Sequence, residues 1–120
     1  MTRTSTRSAV AALGLVAVVA LAGCAADAGS GTPVPSDRVD MPRSYRFAPT
    51  AITVPAGTTV TWTNSDQFTH SVQLPQAEAP NVVVKPGETT EHTFQVPGTY
   101  PYICAFHPND MTGTVVVTAD

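Results

Sequence analysis

From about residue 45 onward, hydrophobic and polar residues alternate in short runs that turn residues separate. In the run 58–63, Val60 and Trp62 share one face of a predicted strand, and threonines occupy the other face. The predicted strands are residues 45–47, 51–54, 58–63, 70–74, 81–84, 89–96, 99–104 and 113–119. No segment here has helical periodicity, so the pattern predicts an all-β antiparallel sandwich or barrel.

The first 23 residues have the pattern of an export signal. Arg3 and Arg7 precede an uncharged apolar run over residues 10–21, which is too short to cross a hydrocarbon core of about 30 Å as a helix. The sequence Leu-Ala-Gly-Cys at 21–24 resembles the lipobox of bacterial lipoproteins. We therefore predict a lipoprotein signal peptide over 1–23, lipidation at Cys24 and an extracytoplasmic, membrane-anchored protein. An ordinary signal peptide with an incidental Cys24 is the alternative.

Residues 24–41 are mostly Ala, Gly, Ser, Asp, Thr and Pro, which is typical of a flexible tether. The folded domain is then predicted at 42–120. A domain of about 80 residues is only marginally stable by itself, and a bound metal would add stability. Loss of Arg3 and Arg7 with the signal changes the formal net charge from −3 to −5, because no acidic residue is lost with them. Since no basic tract remains, we expect no nucleic-acid partner. We also expect the protein to be a monomer.

The stretch 104–111 contains Cys104, His107 and Met111, and His70 precedes it by 34 residues. One thiolate, two imidazoles and one thioether are the donors of a trigonal site with a weak axial Met, which suits copper in electron transfer. Strand parity places His70 and Cys104 at the ends of core-facing rows. If Cys24 is lipidated, Cys104 has no disulfide partner and is a free thiol or a ligand.

Three motifs surround these donors: Trp-Thr-Asn at 62–64 leading to His-Ser-Val at 70–72, Lys-Pro-Gly-Glu at 85–88, and Pro-Gly-Thr-Tyr-Pro-Tyr-Ile-Cys at 97–104. With them, residues 45–119 resemble a small bacterial cupredoxin of the plastocyanin and amicyanin kind. The resemblance implies a Greek-key β-sandwich with one type 1 copper, which cycles between Cu(I) and Cu(II) and shuttles single electrons between redox proteins. It also implies that His70, Cys104 and His107 are equatorial ligands and Met111 the axial one.

The spacing of the last ligand departs from the family pattern. Three residues separate His107 from Met111, whereas the short loops of the family commonly have two or four. Asp110 is in effect an extra residue in the turn. The axial contact is therefore where this site is expected to differ from its relatives.

Around the ligands, the resemblance implies that the backbone amide of Ser71 donates a hydrogen bond to the Cys104 sulfur. Asn64 is expected either to tie the loop after its strand to the ligand loop or to act only as a turn residue. Both residues are predicted to support the ligands from outside the coordination sphere, where such partners orient ligands and tune the metal.

Apolar residues flank His107 and predict a docking patch. If the ring edge of His107 reaches the surface, Phe106 and Pro108 with Pro75 form a small area for a redox partner. Encounters between redox proteins are transient and often bury less than about 1,200 Å². The lipid anchor would hold the domain at the membrane during these encounters.

Other readings of the same residues stay open. The main alternative is a protein that stores, buffers or delivers copper at the cell surface with the same ligands. An enzyme with a Cys-His pair is disfavoured because a domain this small has little room for a substrate pocket. Structural zinc accepts Cys and His but not normally Met. His92 is interpreted as a partly buried structural histidine, and Met41 is left out of the site.

Overall fold

The computed structural model describes residues 31–119 as an all-β domain, which confirms the predicted class. Its strands are β1 (Val34–Pro35), β2 (Arg38–Met41), β3 (Ala51–Pro55), β4 (Thr58–Asn64), β5 (His70–Val72), β6 (Val82–Val84), β7 (Thr89–Phe94), β8 (Gly98–Ile103) and β9 (Thr112–Thr118). A 3-10 helix covers Pro75–Ala77. Within this part of the chain, no helix is long and apolar enough to cross a membrane. The predicted signal peptide and Cys24 lie outside the described residues.

Strand pairing is mixed rather than purely antiparallel. One sheet has the order β1-β3-β9-β8, a second has the order β2-β4-β7, and β5 pairs with β6. The pairs β1/β3, β3/β9 and β2/β4 are parallel, whereas β4/β7, β5/β6 and β8/β9 are antiparallel. Strands joined by a tight hairpin must pair antiparallel, whereas strands that are distant in sequence can pair in parallel. Each of the three parallel pairs joins strands that are not neighbours in the chain.

The core is built from the alternating apolar residues of the strands. Val60 and Trp62 of β4 are fully buried, as the parity predicts, and the threonines that alternate with them are more exposed. Tyr102 packs edge-on against Trp62, with ring centroids 5.4 Å apart. A Cβ added at Gly113 would come within 3.0 Å of the Tyr102 ring, so the close packing depends on glycine there. This packing fixes the end of β8, the strand that leads into Cys104.

The folded domain begins before residue 42, so the predicted extent of the tether is wrong. Residues 38–41 form β2, which pairs in parallel with β4, and Val39 and Met41 are buried in the core. The alternation of Val39 and Met41 with Arg38 and Asp40 already has the period of a half-buried strand. Its paired strand lies more than 20 residues further on, so only the fold shows that this short run is structured.

The predicted strand at 45–47 is also wrong. Ser44 and Tyr45 have φ of 86° and 51°, which is the left-handed region and ends any extended run. The turn places the Phe47 side chain in the core and leaves Tyr45 partly exposed. As a result, the Tyr45 ring reaches the end of the sandwich where the predicted ligands lie.

Candidate metal centre

His70 and Cys104 come together because two strands are joined next to them. Gln73, just past β5, exchanges backbone hydrogen bonds of 2.9 and 3.1 Å with Ile103, the last residue of β8. Cys104 follows directly, and its Sγ lies 3.9 Å from Nδ1 of His70. Both side chains are completely buried. This β-bridge therefore holds a thiol and an imidazole nitrogen side by side in the core.

The loop 104–111 folds back on its own start. The amide of Cys104 donates to the carbonyl of Met111 at 3.0 Å, and the amides of His107 and Met111 donate to the carbonyls of Cys104 and His107 at 3.1 and 2.9 Å. Met111 is consequently buried, and its backbone lies beside that of Cys104. The His107 ring is half-buried, with its centroid 6.0 Å from that of His70.

The donor pair fits a single metal ion. In zinc proteins the metal–sulfur and metal–nitrogen distances are about 2.3 and 2.0 Å, and their sum exceeds the 3.9 Å between Cys104 Sγ and His70 Nδ1. One ion can therefore touch both atoms. Within residues 31–119, no group of three His, Cys, Asp or Glu side chains is close enough together to hold a metal ion. His107 belongs to a surface loop, and Met111 supplies a thioether that is outside that donor class.

The Ser71 backbone amide donates to Cys104 Sγ at 3.3 Å, as the sequence resemblance implied. The Ser71 hydroxyl lies 3.9 Å from the same sulfur and accepts a hydrogen bond from the Ala105 amide at 2.8 Å. Hydrogen bonds of this kind stabilise negative charge on sulfur. Ser71 therefore supports a thiolate and also ties β5 to the start of the ligand loop.

Asp66 is a residue of this site that the sequence analysis missed. Its Oδ2 lies 2.9 Å from Nε2 of His70, and both side chains are buried. This hydrogen bond lowers the pKa of the Asp66 carboxyl despite the opposing effect of burial, and the Gln67 amide and electrostatic interactions with His70 and Arg43 lower the pKa further. A carboxylate four residues before a candidate metal-binding histidine was the available signal, because such ligands commonly donate their other ring N–H to a carboxylate.

Asn64 supports the loop before His70. Its side chain donates to the carbonyls of Phe68 and Val84 at 2.8 and 2.9 Å and accepts from the amide of Asp66 at 2.9 Å. These contacts hold the segment 64–70, whereas the sequence analysis offered a link to the ligand loop. Asn64 is therefore more than a turn residue, and its side-chain hydrogen bonds lie on the His70 side of the site.

An aromatic surface lies over the two histidines. The Tyr45 ring packs 4.4 Å from that of His107 and 6.0 Å from that of His70, and it stacks on Phe68 at 5.8 Å. Phe68 and Phe106 are about half exposed. Tyr45 and Phe68 were not predicted at this site, because hydrophobic alternation does not reveal the left-handed turn at 44–45.

The remaining predicted docking residues are exposed, and His92 lies in another part of the fold. Pro108 is exposed within the ligand loop, and Pro75 is exposed at the start of the 3-10 helix that packs beside β8. His92 is half-buried on β7, where its ring packs 4.8 Å from that of Phe94. The structural interpretation of His92 agrees with this position.

A β-sandwich with a buried Cys-His pair at one end, followed by a short loop with a second His and a Met, is the arrangement of a cupredoxin. Residues 12–117 match the family model of the cupredoxin-like domain, and the chain belongs to that family. Proteins of this family bind a single copper ion, which is the cofactor of this domain.

Known relatives agree with this classification. Amicyanin-alpha of Methylorubrum extorquens is 33% identical over 106 residues, which cover 84% of this chain and 87% of the relative. Plastocyanin of Scenedesmus fuscus is 34% identical over 83 residues, covering 59% and 85% of the two chains. Among solved structures, a purple cupredoxin from Nitrosopumilus maritimus is similar with a TM-score of 0.61 and 31% identity, over 68% of this chain and 98% of that one. The relatives support a blue copper electron-transfer protein.

Proposed function

We propose that this protein is a lipid-anchored type 1 copper protein that shuttles single electrons outside the cytoplasmic membrane. The observation that carries the proposal is the buried pair of Cys104 Sγ and His70 Nδ1 at 3.9 Å, with the Ser71 amide donating to the sulfur. His107 completes the proposed equatorial set, and Met111 is the proposed axial ligand. Copper bound there would accept or donate one electron by cycling between Cu(I) and Cu(II).

The chain contributes a set of donors whose backbone is held by hydrogen bonds, and three of them, His70, Cys104 and Met111, are buried. The β-bridge between Gln73 and Ile103 fixes two ligands, and the hydrogen bonds within the loop 104–111 hold the backbone of the other two. Because these elements are joined by backbone hydrogen bonds and packed on the core, the ligand positions change little when an electron arrives. A small rearrangement favours rapid electron transfer over release of the metal.

Burial also argues against nucleophilic catalysis at this site. Cys104 and His70 have no exposed surface, so a substrate has no direct access to the sulfur. A reactive cysteine occupies a partly exposed position. We therefore propose a carrier of electrons and not an enzyme.

We further propose that partners dock where the Tyr45 ring meets His107. Tyr45, Phe68, Phe106 and Pro108 form an exposed, mainly apolar surface beside the half-buried imidazole. Encounters between redox proteins are brief and use small interfaces, so a few exposed apolar rings are enough for docking. The lipidated Cys24 and the segment up to about residue 33 would place this surface near membrane-bound partners, and the protein would act as a monomer.

Electron transfer is distinguished from copper delivery by voltammetry and by copper exchange. An electron carrier is expected to give a reversible one-electron wave and to keep its copper when an acceptor chelator is added in modest excess. A protein that holds only Cu(I), or gives it up within the time of mixing, would contradict electron transfer and favour storage or delivery.

Met111→Leu tests the axial ligand. The replacement keeps the volume of a buried side chain but removes the thioether, so the visible band should persist while Cu(II) loses a donor. We expect the reduction potential to rise by about 59 mV, which corresponds to a tenfold loss in the affinity for Cu(II) relative to Cu(I). Voltammetry provides the measurement, and Met41→Leu, at another buried methionine, is the matched control. Equal potentials in the two variants would exclude Met111 as a ligand.

Tyr45→Ala tests the aromatic cover. Since the Tyr45 ring packs against both imidazoles, its removal should let His107 move more freely and speed the loss of copper to a chelator about fivefold. Stopped-flow mixing of the copper protein with a chromophoric chelator measures the rate. Phe106→Ala removes a more exposed ring of the same surface and should change the rate much less. The same rate in both variants would show that Tyr45 does not hold the ligands.

A further inference from the structure

We propose that Asp66 is a positioning residue of the metal site, which fixes the proton of His70 on Nε2, presents Nδ1 to the metal and favours Cu(II). The inference rests on the proposed copper function, because it concerns how this chain prepares one of the proposed ligands. Asp66 does not touch the metal in this account; it acts through the His70 ring.

The contact between the two side chains sets the ring orientation. Asp66 Oδ2 lies 2.9 Å from His70 Nε2, and the side chains are 2% and 0% exposed, so water does not compete for either atom. An ionised carboxylate only accepts hydrogen bonds, and a neutral imidazole carries its proton on one nitrogen. Nε2 must therefore be the donor. The lone pair on Nδ1 then faces Cys104 Sγ, 3.9 Å away.

The Asp66 carboxylate is itself fixed in position by hydrogen bonds to its neighbours. The Gln67 amide donates to the other carboxylate oxygen at 2.7 Å, and the Asp66 amide donates to the Asn64 side chain at 2.9 Å. Asn64 is anchored in turn on the carbonyls of Phe68 and Val84. The whole segment 64–70 thus aims one carboxylate oxygen at the ring, with the other oxygen already occupied.

This arrangement has a consequence for the redox couple. A carboxylate that accepts the ligand's second N–H makes the imidazole a stronger donor, and its negative charge lies in a dry environment. Both effects stabilise the more positive metal state. The Asp66 carboxylate should therefore tighten the binding of Cu(II) more than that of Cu(I) and lower the reduction potential.

The test compares Asp66→Asn with Asp110→Asn in the full protein. Asp66→Asn keeps the shape but loses the charge and the strong acceptor, so copper affinity should fall 10- to 100-fold. We expect Cu(II) affinity to fall about tenfold more than Cu(I) affinity, which raises the potential by about 59 mV. Asp110→Asn removes the same charge from an exposed position in the ligand loop and should shift the potential far less. Asp66→Glu keeps the carboxylate and should recover most of the change.

A second measurement separates positioning from folding. In the diamagnetic zinc form, nitrogen NMR should show Nε2 of His70 protonated, with a strongly hydrogen-bonded proton signal that Asp66→Asn shifts upfield. Equal potentials in Asp66→Asn and Asp110→Asn, or an unchanged Nε2 proton, would overturn the role of Asp66. If the unsubstituted protein binds no copper, the proposed function itself fails, and this outcome is distinct from the first two.

Discussion

Replacing Cys104 with serine is expected to abolish the intense visible absorption of the copper(II) protein. That absorption comes from charge transfer between a thiolate and copper, and a serine hydroxyl supplies neither the soft donor nor the charge. Copper affinity should also fall by more than about 100-fold, beyond the loss that removal of an outer partner causes. Serine is close to cysteine in size, and the backbone hydrogen bond from the residue 104 amide to the Met111 carbonyl remains available, so the fold should persist.

Absorption spectroscopy and competition with a chromophoric chelator measure both effects. Ser71→Ala is the matched control, because it removes the hydroxyl near the sulfur but keeps the amide that donates to Cys104 Sγ. The control should retain the band. If Cys104→Ser retained it as well, the thiolate would not be the source of the colour, and Cys104 would have to be removed from the site.

Copper binding is expected to stabilise the fold strongly. A ligand at 1,000 times its dissociation constant stabilises the native state by about 4 kcal/mol if it does not bind the unfolded chain. A domain of this size shifts its melting temperature by roughly 4–8 °C for each kcal/mol, so loading should raise it by about 20 °C. The proposed ligands lie at the junction of β5, β8 and the loop 104–111, and metal binding would lock these elements together.

The stabilisation should also depend on pH. The thiol must lose its proton and the imidazoles must be neutral to bind the metal, so protons compete with copper as the pH falls. The gap between the melting temperatures of the copper-loaded and metal-free proteins should therefore narrow in acid. Thermal unfolding at several pH values measures this gap. In the control, Cys104→Ser, copper should raise the melting temperature only slightly at any pH. Equal melting temperatures with and without copper at neutral pH would contradict a metal site in the core.

Much of the fold could be predicted because strand alternation is a local property. The period of two placed Val60 and Trp62 in the core and located β5, which begins at His70, and β8, which ends just before Cys104, close to their observed bounds. The family resemblance supplied the donor set and the hydrogen bond from Ser71 to the sulfur, and the structure contains that hydrogen bond. These features depend on residues that are neighbours in sequence or belong to one motif.

The features that were missed depend on contacts between distant segments or on unusual backbone angles. The strand Arg38–Met41 pairs with β4 and bridges to Ala48, and a local pattern indicates neither contact. Tyr45 reaches His107 through a left-handed turn that hydrophobic patterning does not reveal. Asp66 stands in a run of turn residues, and its role depends on the loop that Asn64 holds in place. The parts of the site outside the motif thus follow from tertiary structure.

X-ray absorption at the copper edge of the protein with one equivalent of copper tests the central claim most directly. We expect a first coordination shell with one sulfur at bonding distance and two imidazole nitrogens, from Cys104, His70 and His107. A first shell of nitrogen and oxygen atoms alone, without sulfur, would contradict it.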